Sequence, residues 1–167
     1  NFSDEGVKPD LVWIKNRDAT DSHQWYDSTR GPLKDMSTDT TDQESTTTDG
    51  LQKFLQGGCA IEDDVSINTV NESYVAWNWV ANGGTTSANT DGSGATLAST
   101  IQANQTAGFS IVQVTAPGSP SGTYKIAHGL GAAPHWIIGK NLENSGGYNW
   151  SVYHKFMASD AETDYME

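Results

Sequence analysis

Short apolar runs, separated by polar stretches rich in glycine, make up the hydrophobic pattern of the chain. In the run Ser73–Val80 the apolar residues alternate, so that Val75, Trp77 and Trp79 share one face of a predicted strand. The run Gly108–Val114 is alternating and β-branched in the same way. No stretch of helical length keeps apolar residues at a spacing of about 3.6 without interruption by Gly, Ser, Thr or Asn. The pattern therefore predicts an all-β fold.

A hairpin pattern occurs twice along the chain, with a displacement of 125 residues. Each copy has a proline, an apolar strand that ends in Lys-Asn, a polar turn, and a second strand with an aromatic residue near its end. The copies run from Pro9 to Asp27 and from Pro134 to His154, and their turns differ by two residues. We therefore expect tandem repeats of about 125 residues. The expected units are the C-terminal part of one repeat (1–85), a linker rich in Gly, Ser, Thr and Asn (86–107), and the N-terminal part of a second repeat (108–167).

Three further segments complete the predicted layout. Apolar runs predict short strands at Gln52–Leu55, Cys59–Ile61 and Leu97–Ile101. The stretch Ser37–Asp49 has no apolar residue and predicts a long solvated loop. A return strand is expected at Tyr124–His128, ahead of the second hairpin.

Composition and charge narrow the possible partners. Hydrophobic residues make up only 35% of the 167 residues, yet six Trp, six Tyr and four Phe supply bulky core material. The net charge of −12 argues against binding to nucleic acid or to anionic lipid, since carboxylates repel both. Cys59 is the single cysteine, so we expect a small buried strand residue rather than a disulfide. No signal peptide and no apolar run of membrane-spanning length is present.

Motifs for catalysis are missing from the sequence. A glycoside hydrolase of the lectin-like sandwich class would place paired carboxylates on one strand face, whereas Glu62-Asp63-Asp64 lacks a second glutamate and the alternation. The chain has no Gly-x-Ser-x-Gly motif, and Cys59 has no basic neighbour in sequence that would lower its pKa. We therefore expect no enzymatic activity.

Metal ligands are not spaced as in known sites. Asn89–Gly92 resembles the opening of a calcium loop, but Ala98 stands where the closing glutamate would be. Asp39, Asp42 and Glu44 have no spacing that requires a cation. We expect neither a metal nor another cofactor. The histidines lack zinc-site spacing as well: His23, His128, His135 and His154.

Aromatic residues beside the two predicted hairpins are the candidate ligand-binding residues. Exposed aromatic faces next to Asp and Asn side chains bind sugars on β-sandwiches. The alternative for each ring is core or intersubunit packing, which is common for bulky residues on strands. The candidates are Trp25, Tyr26, Tyr148, Trp150 and Tyr153.

Several segments in combination resemble a module found in tail-fibre-like virion proteins of marine bacteriophages. They include Pro9–Asn16, Tyr74–Trp79, Asn104–Val112 and His128–Gly131. The resemblance covers most of the chain and implies tandem antiparallel β-sandwiches of the lectin-like jelly-roll type. It also implies an extracellular location in the virion, homo-oligomers and contacts with other virion proteins, but no catalytic or ligand residues. The chain departs from the pattern at His135-Trp136, which replaces the Pro-Asp pair, and at Cys59–Ile61.

The expected function is that of a structural and adhesive module in a phage tail fibre or related virion appendage. Repeated modules would present weak sites for host-surface glycans many times and so gain avidity. One alternative is a carbohydrate-binding or adhesin module of a bacterial surface or secreted protein. Another is a capsid-decoration or spacer protein without a ligand.

Overall fold

Antiparallel strands make up almost all the regular structure of the protein. The computed structural model describes residues 6–81, 86–87, 95–118, 122–144 and 146–158. Within them one short helix, α1, spans Val65–Asn68, and every pair of named strands is antiparallel. The all-β prediction is therefore confirmed. The strands are β1 Leu11–Asn16, β2 Gln24–Asp27, β3 Lys34–Ser37, β4 Ser45–Thr46, β5 Leu51–Leu55, β6 Gly58–Ile61, β7 Tyr74–Trp79, β8 Thr86–Ser87, β9 Ser99–Asn104, β10 Phe109–Val114, β11 Trp136–Gly139 and β12 Ser151–His154.

A five-stranded sheet with the order β4-β3-β2-β1-β7 is the largest element of the fold. Alternation along β1 places Val12 and Ile14 on one face, where both are buried. The hairpin β5–β6 covers this face, and Leu51 from β5 is fully buried against it. Two packed β layers thus enclose the core. Its buried members are Val12, Ile14, Tyr26, Leu51 and Ile67, with Phe54, Cys59 and Tyr74 packed against them.

Buried charged groups hold the segment between β2 and β5 against the sheet. Arg30 Nε lies 2.5 Å from Asp27 Oδ2, and Arg30 Nη1 lies 3.1 Å from Glu44 Oε2. Since Glu44 is held in this way, the following residues pair with β3 as strand β4. The predicted solvated loop 37–49 therefore contains a short edge strand, which its purely polar composition did not indicate.

Strand β9 lies inside the region predicted as a linker, 86–107. It forms the centre of a three-stranded sheet with the order β10-β9-β8. Gln102 Nε2 donates to Ser28 Oγ at 2.8 Å, and the ring of Phe109 stacks on Trp79 with centroids 6.2 Å apart. Residues 99–104 are thus part of a sheet that contacts the first sheet. The predicted return strand 124–128 is reduced to an isolated bridge between Ile126 and Leu97.

The two hairpins that the sequence repeat predicts have the same pairing register. In β1–β2, Val12 lies opposite Tyr26, and in β11–β12, Ile137 lies opposite Tyr153. In the first strands, Val12 and Ile137 are separated by the displacement of 125 residues. In the second strands, Tyr26 and Tyr153 are separated by two residues more, which is the difference in turn length. The sequence match is therefore a residue-by-residue structural match between hairpins.

Side-chain hydrogen bonds in the two turns correspond as well. Lys15 Nζ donates to the carbonyl of Asp21, and Lys140 Nζ donates to the carbonyl at the equivalent position, Tyr148. Asn16 Oδ1 accepts hydrogen bonds from two backbone amides in its turn, as Asn141 Oδ1 does in the other turn. The Lys-Asn pair at the end of each first strand therefore has a role in common, which is to fix the turn that follows.

Candidate functional site

Tryptophan side chains form a row across the large sheet, on the face opposite the β5–β6 hairpin. Trp13 lies directly opposite Trp77 on one neighbouring strand and Trp25 on the other. The ring centroids are 5.2 Å apart for Trp13 and Trp77, and 5.9 Å apart for Trp13 and Trp25. Trp150, just before β12, adds a fourth ring 5.6 Å from Trp25. We call Trp77, Trp13, Trp25 and Trp150 the tryptophan row.

Strand alternation produces this row. Since Val12 and Ile14 enter the core, the intervening Trp13 must point away from it. The indoles are further fixed by hydrogen bonds, because Trp13 Nε1 donates to Thr38 Oγ1 at 3.1 Å and Trp150 Nε1 donates to the Ser37 carbonyl at 3.2 Å. The row is therefore rigid at these two rings, which lowers the entropy cost of binding a ligand there.

Exposure increases toward one end of the row. Trp77 on the edge strand β7 is 44% exposed, whereas Trp13, Trp25 and Trp150 are half-buried. The ring of His23 lies 6.4 Å from that of Trp13, and the His23 amide donates to Asp39 Oδ1 at 3.1 Å. An aromatic surface with polar groups beside it is thus accessible from the Trp77 end.

Comparison with known proteins gives one family. The model of a family described as a domain of unknown function (DUF7483) matches residues 2–167. The chain belongs to this family. No curated protein matches the chain, and no solved structure matches it. The match runs through the predicted boundaries at residues 85 and 107, so the DUF7483 domain includes both hairpins.

The DUF7483 structure brings two of the predicted ligand-binding residues together. Trp25 and Trp150 are adjacent in the tryptophan row. Tyr148 is 51% exposed and Tyr153 is half-buried, and neither has a ring contact with the row in the part of the chain described. Tyr26 is fully buried in the core, so its ring is not accessible to a ligand.

The buried position of Tyr26 changes the chemistry of its phenol. Burial raises the pKa of its phenol above the usual value of 10.0, and the carboxylates of Asp35 and Asp64 raise this pKa further. Trp25 and Tyr26 are adjacent on β2 and so point to opposite faces of the sheet. Only the face of Trp25 is open to a ligand.

Two residues of the row, Trp13 and Trp77, were not among the sequence candidates. Alternation in the run 73–80 indicated that Trp77 shares a face with Val75 and Trp79, but not which strand lies beside it. The pairing of β7 with β1 joins residues about 60 positions apart, and no local signal in the sequence specifies such a contact.

Of the acidic residues weighed for catalysis, Asp64 has a structural role at a helix start. Glu62 lies just after β6, where its backbone amide donates to the Gly50 carbonyl at 3.1 Å. Asp64 is the N-cap of α1, and its side chain accepts a hydrogen bond of 2.7 Å from the Ser66 amide. Burial raises the pKa of the Cys59 thiol, which disfavours the nucleophilic thiolate.

No metal centre is found within the described ranges. There, no three His, Cys, Asp or Glu side chains are grouped so that they could hold a metal ion. The calcium-like turn Asn89–Gly92 lies outside the described residues. The one helix that the described part contains is too short and too polar to cross a membrane.

Proposed function

We propose that this DUF7483 domain is a structural, carbohydrate-binding module of a virion appendage such as a phage tail fibre, and that the tryptophan row is its binding surface. The observation that carries this proposal is the row itself, in which four indole rings lie side by side and the Trp77 ring is open to solvent. Assignment to a virion rests on the sequence resemblance to tail-fibre-like proteins.

Indole faces suit sugars because their electron-rich surface attracts the polarised C–H groups on one side of a pyranose ring. Neighbouring centroids are 5.2 to 5.9 Å apart and neighbouring rings are tilted by 43° to 51°, so the row is a stepped aromatic surface rather than a set of isolated rings. Polar groups at His23, Thr38 and Asp39 lie on the rim, where they can orient sugar hydroxyls. The ligand class is thus a neutral glycan, because the domain's net charge of −12 disfavours polyanions.

In this proposal the domain is one of several lectin-like jelly-roll modules in a tandem array. The modules form homo-oligomers in an extracellular appendage, where other virion proteins are their neighbours. The packing of β5–β6 on the large sheet and the equivalence of the two hairpins support it. Linked copies of a weak glycan site gain avidity without strong single contacts. No chemical step is part of this function.

The test is binding to a glycan array and to whole host cells, with and without calcium. Trp77→Ala should weaken binding by about tenfold, which is about 1.4 kcal/mol and near the upper end of an aromatic pair's contribution. Trp136→Ala is the matched control, because Trp136 is 59% exposed but lies on β11, outside the row. The control should bind as the wild type does, with or without calcium.

Two results would oppose the proposal. Absence of binding to every glycan and cell by the folded protein would favour a spacer or decoration role. Equal losses in Trp77→Ala and Trp136→Ala would show that binding does not use the row.

A further inference from the structure

A carboxylate, a hydroxyl and a side-chain amide meet where the second sheet contacts the first. Ser28 Oγ donates to Asp10 Oδ1 at 2.8 Å, and the same oxygen accepts a hydrogen bond of 2.8 Å from Gln102 Nε2. Asp10 is fully buried and Gln102 is 2% exposed. The contacts therefore run from the carboxylate through the hydroxyl to the amide, and they join residues that lie 74 positions apart.

Separate parts of the fold hold these three groups together. Asp10 precedes β1, and its Oδ2 accepts a hydrogen bond of 2.8 Å from the Ala81 amide. Ser28 follows β2, and its backbone amide donates to the Asp10 carbonyl. Gln102 lies on β9, the central strand of the second sheet, and its Nε2 also donates to Thr29 Oγ1 at 2.9 Å. The contact of the two sheets thus fixes the arrangement.

Asp10 and Ser28 are arranged as a general base and a nucleophile. A carboxylate that takes the hydroxyl proton activates the oxygen for attack on a carbonyl carbon. Since Nε2 is bonded to Cδ, Ser28 Oγ lies at most about 4.1 Å from Gln102 Cδ. A small rotation of the amide brings Cδ to the attack distance of about 3–3.5 Å.

We propose that Ser28 and Gln102 become joined by an ester bond that the chain forms by itself. Ser28 Oγ attacks Gln102 Cδ while Asp10 takes the hydroxyl proton. The tetrahedral intermediate then collapses, the Cδ–Nε2 bond breaks, and Asp10 returns the proton to the nitrogen, which leaves as ammonia. One hydroxyl and one primary amide thus give one ester and one ammonia, and the reaction needs no oxidant, reductant or cofactor.

The environment of the Gln102 carbonyl favours this conversion. Its oxygen, Oε1, is buried and accepts no hydrogen bond from the described residues. A buried amide oxygen without a donor loses its hydration and gains no bond in return. An ester carbonyl is a weaker acceptor than an amide carbonyl, so its burial without a donor costs less. The ammonia is also diluted into the solvent, which makes the reverse reaction slow.

The ester would tie the second sheet covalently to the first. The 167 residues contain a single cysteine, so no disulfide can form within them. A cross-link between positions 74 residues apart restricts the unfolded chain as a disulfide does. The inference goes beyond the proposed function and does not depend on glycan binding.

Mass spectrometry of the full chain tests this bond. The wild-type protein should be lighter than its sequence mass by about 17 Da, the mass of ammonia. After digestion of the unfolded protein with trypsin, the peptides 18–30 and 54–125 should be found as one linked species. Mild hydroxylamine treatment, which cleaves esters and spares amides, should separate these peptides.

Variants assign the role of each residue, and tryptophan fluorescence checks that each variant is folded. Ser28→Ala removes the nucleophile and Gln102→Met removes the amide, so both should have the full sequence mass. Thr29→Val is the matched control, because it removes the other contact of Gln102 Nε2 and keeps the Asp10–Ser28 pair, so it should still lose ammonia. In a time course after expression, Asp10→Asn should slow this loss at least about 100-fold, as expected for a general base.

The wild-type measurement is decisive without any variant. A wild-type chain of full sequence mass, or one that gives no linked peptides, would overturn the proposal. So would a loss of ammonia that persists in Ser28→Ala or Gln102→Met. Equal rates of loss in Asp10→Asn and the wild type would contradict the role of Asp10 as the base.

Discussion

The buried ion pair of Arg30 gives the sharpest test of how the fold is held together. The side chains of Arg30 and Asp27 are each 4% exposed, and the guanidinium bonds Asp27, Glu44 and the carbonyl of Trp25. Arg30→Met keeps a side chain of similar length but removes all these bonds. The Asp27 carboxylate then stays in the interior with only backbone donors, the amides of Thr29 and Arg30.

The loss of folding stability in Arg30→Met comes from the desolvated carboxylate of Asp27, which remains without its ion-pair partner. Removing one partner of a buried ion pair destabilises a protein by about 3–5 kcal/mol. Glu44 adds little to this cost, since it is 18% exposed and Lys34 Nζ lies 3.4 Å from its other oxygen. The double variant Asp27→Asn/Arg30→Met should recover at least about 1 kcal/mol, because it no longer buries an unpaired charge.

Urea unfolding followed by fluorescence measures these differences. With a slope of about 2 kcal/mol per molar urea, Arg30→Met should lower the midpoint by about 2 M. Arg17→Met is the control, since Arg17 is exposed, and its stability should stay within about 0.5 kcal/mol of the wild type. A loss below about 1 kcal/mol for Arg30→Met, the value of a surface pair, would refute the reasoning.

The remaining predictions concern groups with shifted pKa values. Burial raises the pKa of Cys59, so its reaction with a thiol reagent at pH 8 should be at least about tenfold slower in the folded than in the urea-unfolded protein. Burial also raises the pKa of Tyr26, whereas a tyrosine in the unfolded chain has a pKa of about 10. Stability should therefore fall as the pH rises above about 10, and Tyr26→Phe should reduce this fall. The Ser73 hydroxyl and amide donate to Asp18 and lower its pKa, so Ser73→Ala should raise that pKa in an NMR titration.

Local patterns in the sequence predicted the strands that alternate most clearly. The runs that became β7 and β10 were visible because apolar or β-branched residues recur at every second position, and β1 was visible as a continuous apolar run that ends in Lys-Asn. The two hairpins were visible because their turns use the same Lys-Asn pair. Strand β4 was not predicted, because it is held on β3 by polar contacts that an apolar pattern does not indicate: Ser45 Oγ donates to Asp35 Oδ1, and Lys34 Nζ donates to Thr46 Oγ1.

The binding surface was predicted only in part, for a related reason. Alternation shows that Trp25 and Tyr26 point to opposite faces, but not which face the β5–β6 hairpin covers. That choice depends on Leu51 and the rest of the second layer, which are distant in sequence. The row also needs β7 beside β1, and this long-range pairing adds Trp77 to a surface of which Trp25 and Trp150 were the predicted part.

The most direct test of the central claim is an NMR titration of the indole Nε1–H signals with a glycan that the array identifies. The account predicts chemical-shift changes at Trp77, with smaller ones at Trp13 and Trp25, and none at Trp136. Changes at Trp136 with none in the tryptophan row would contradict it.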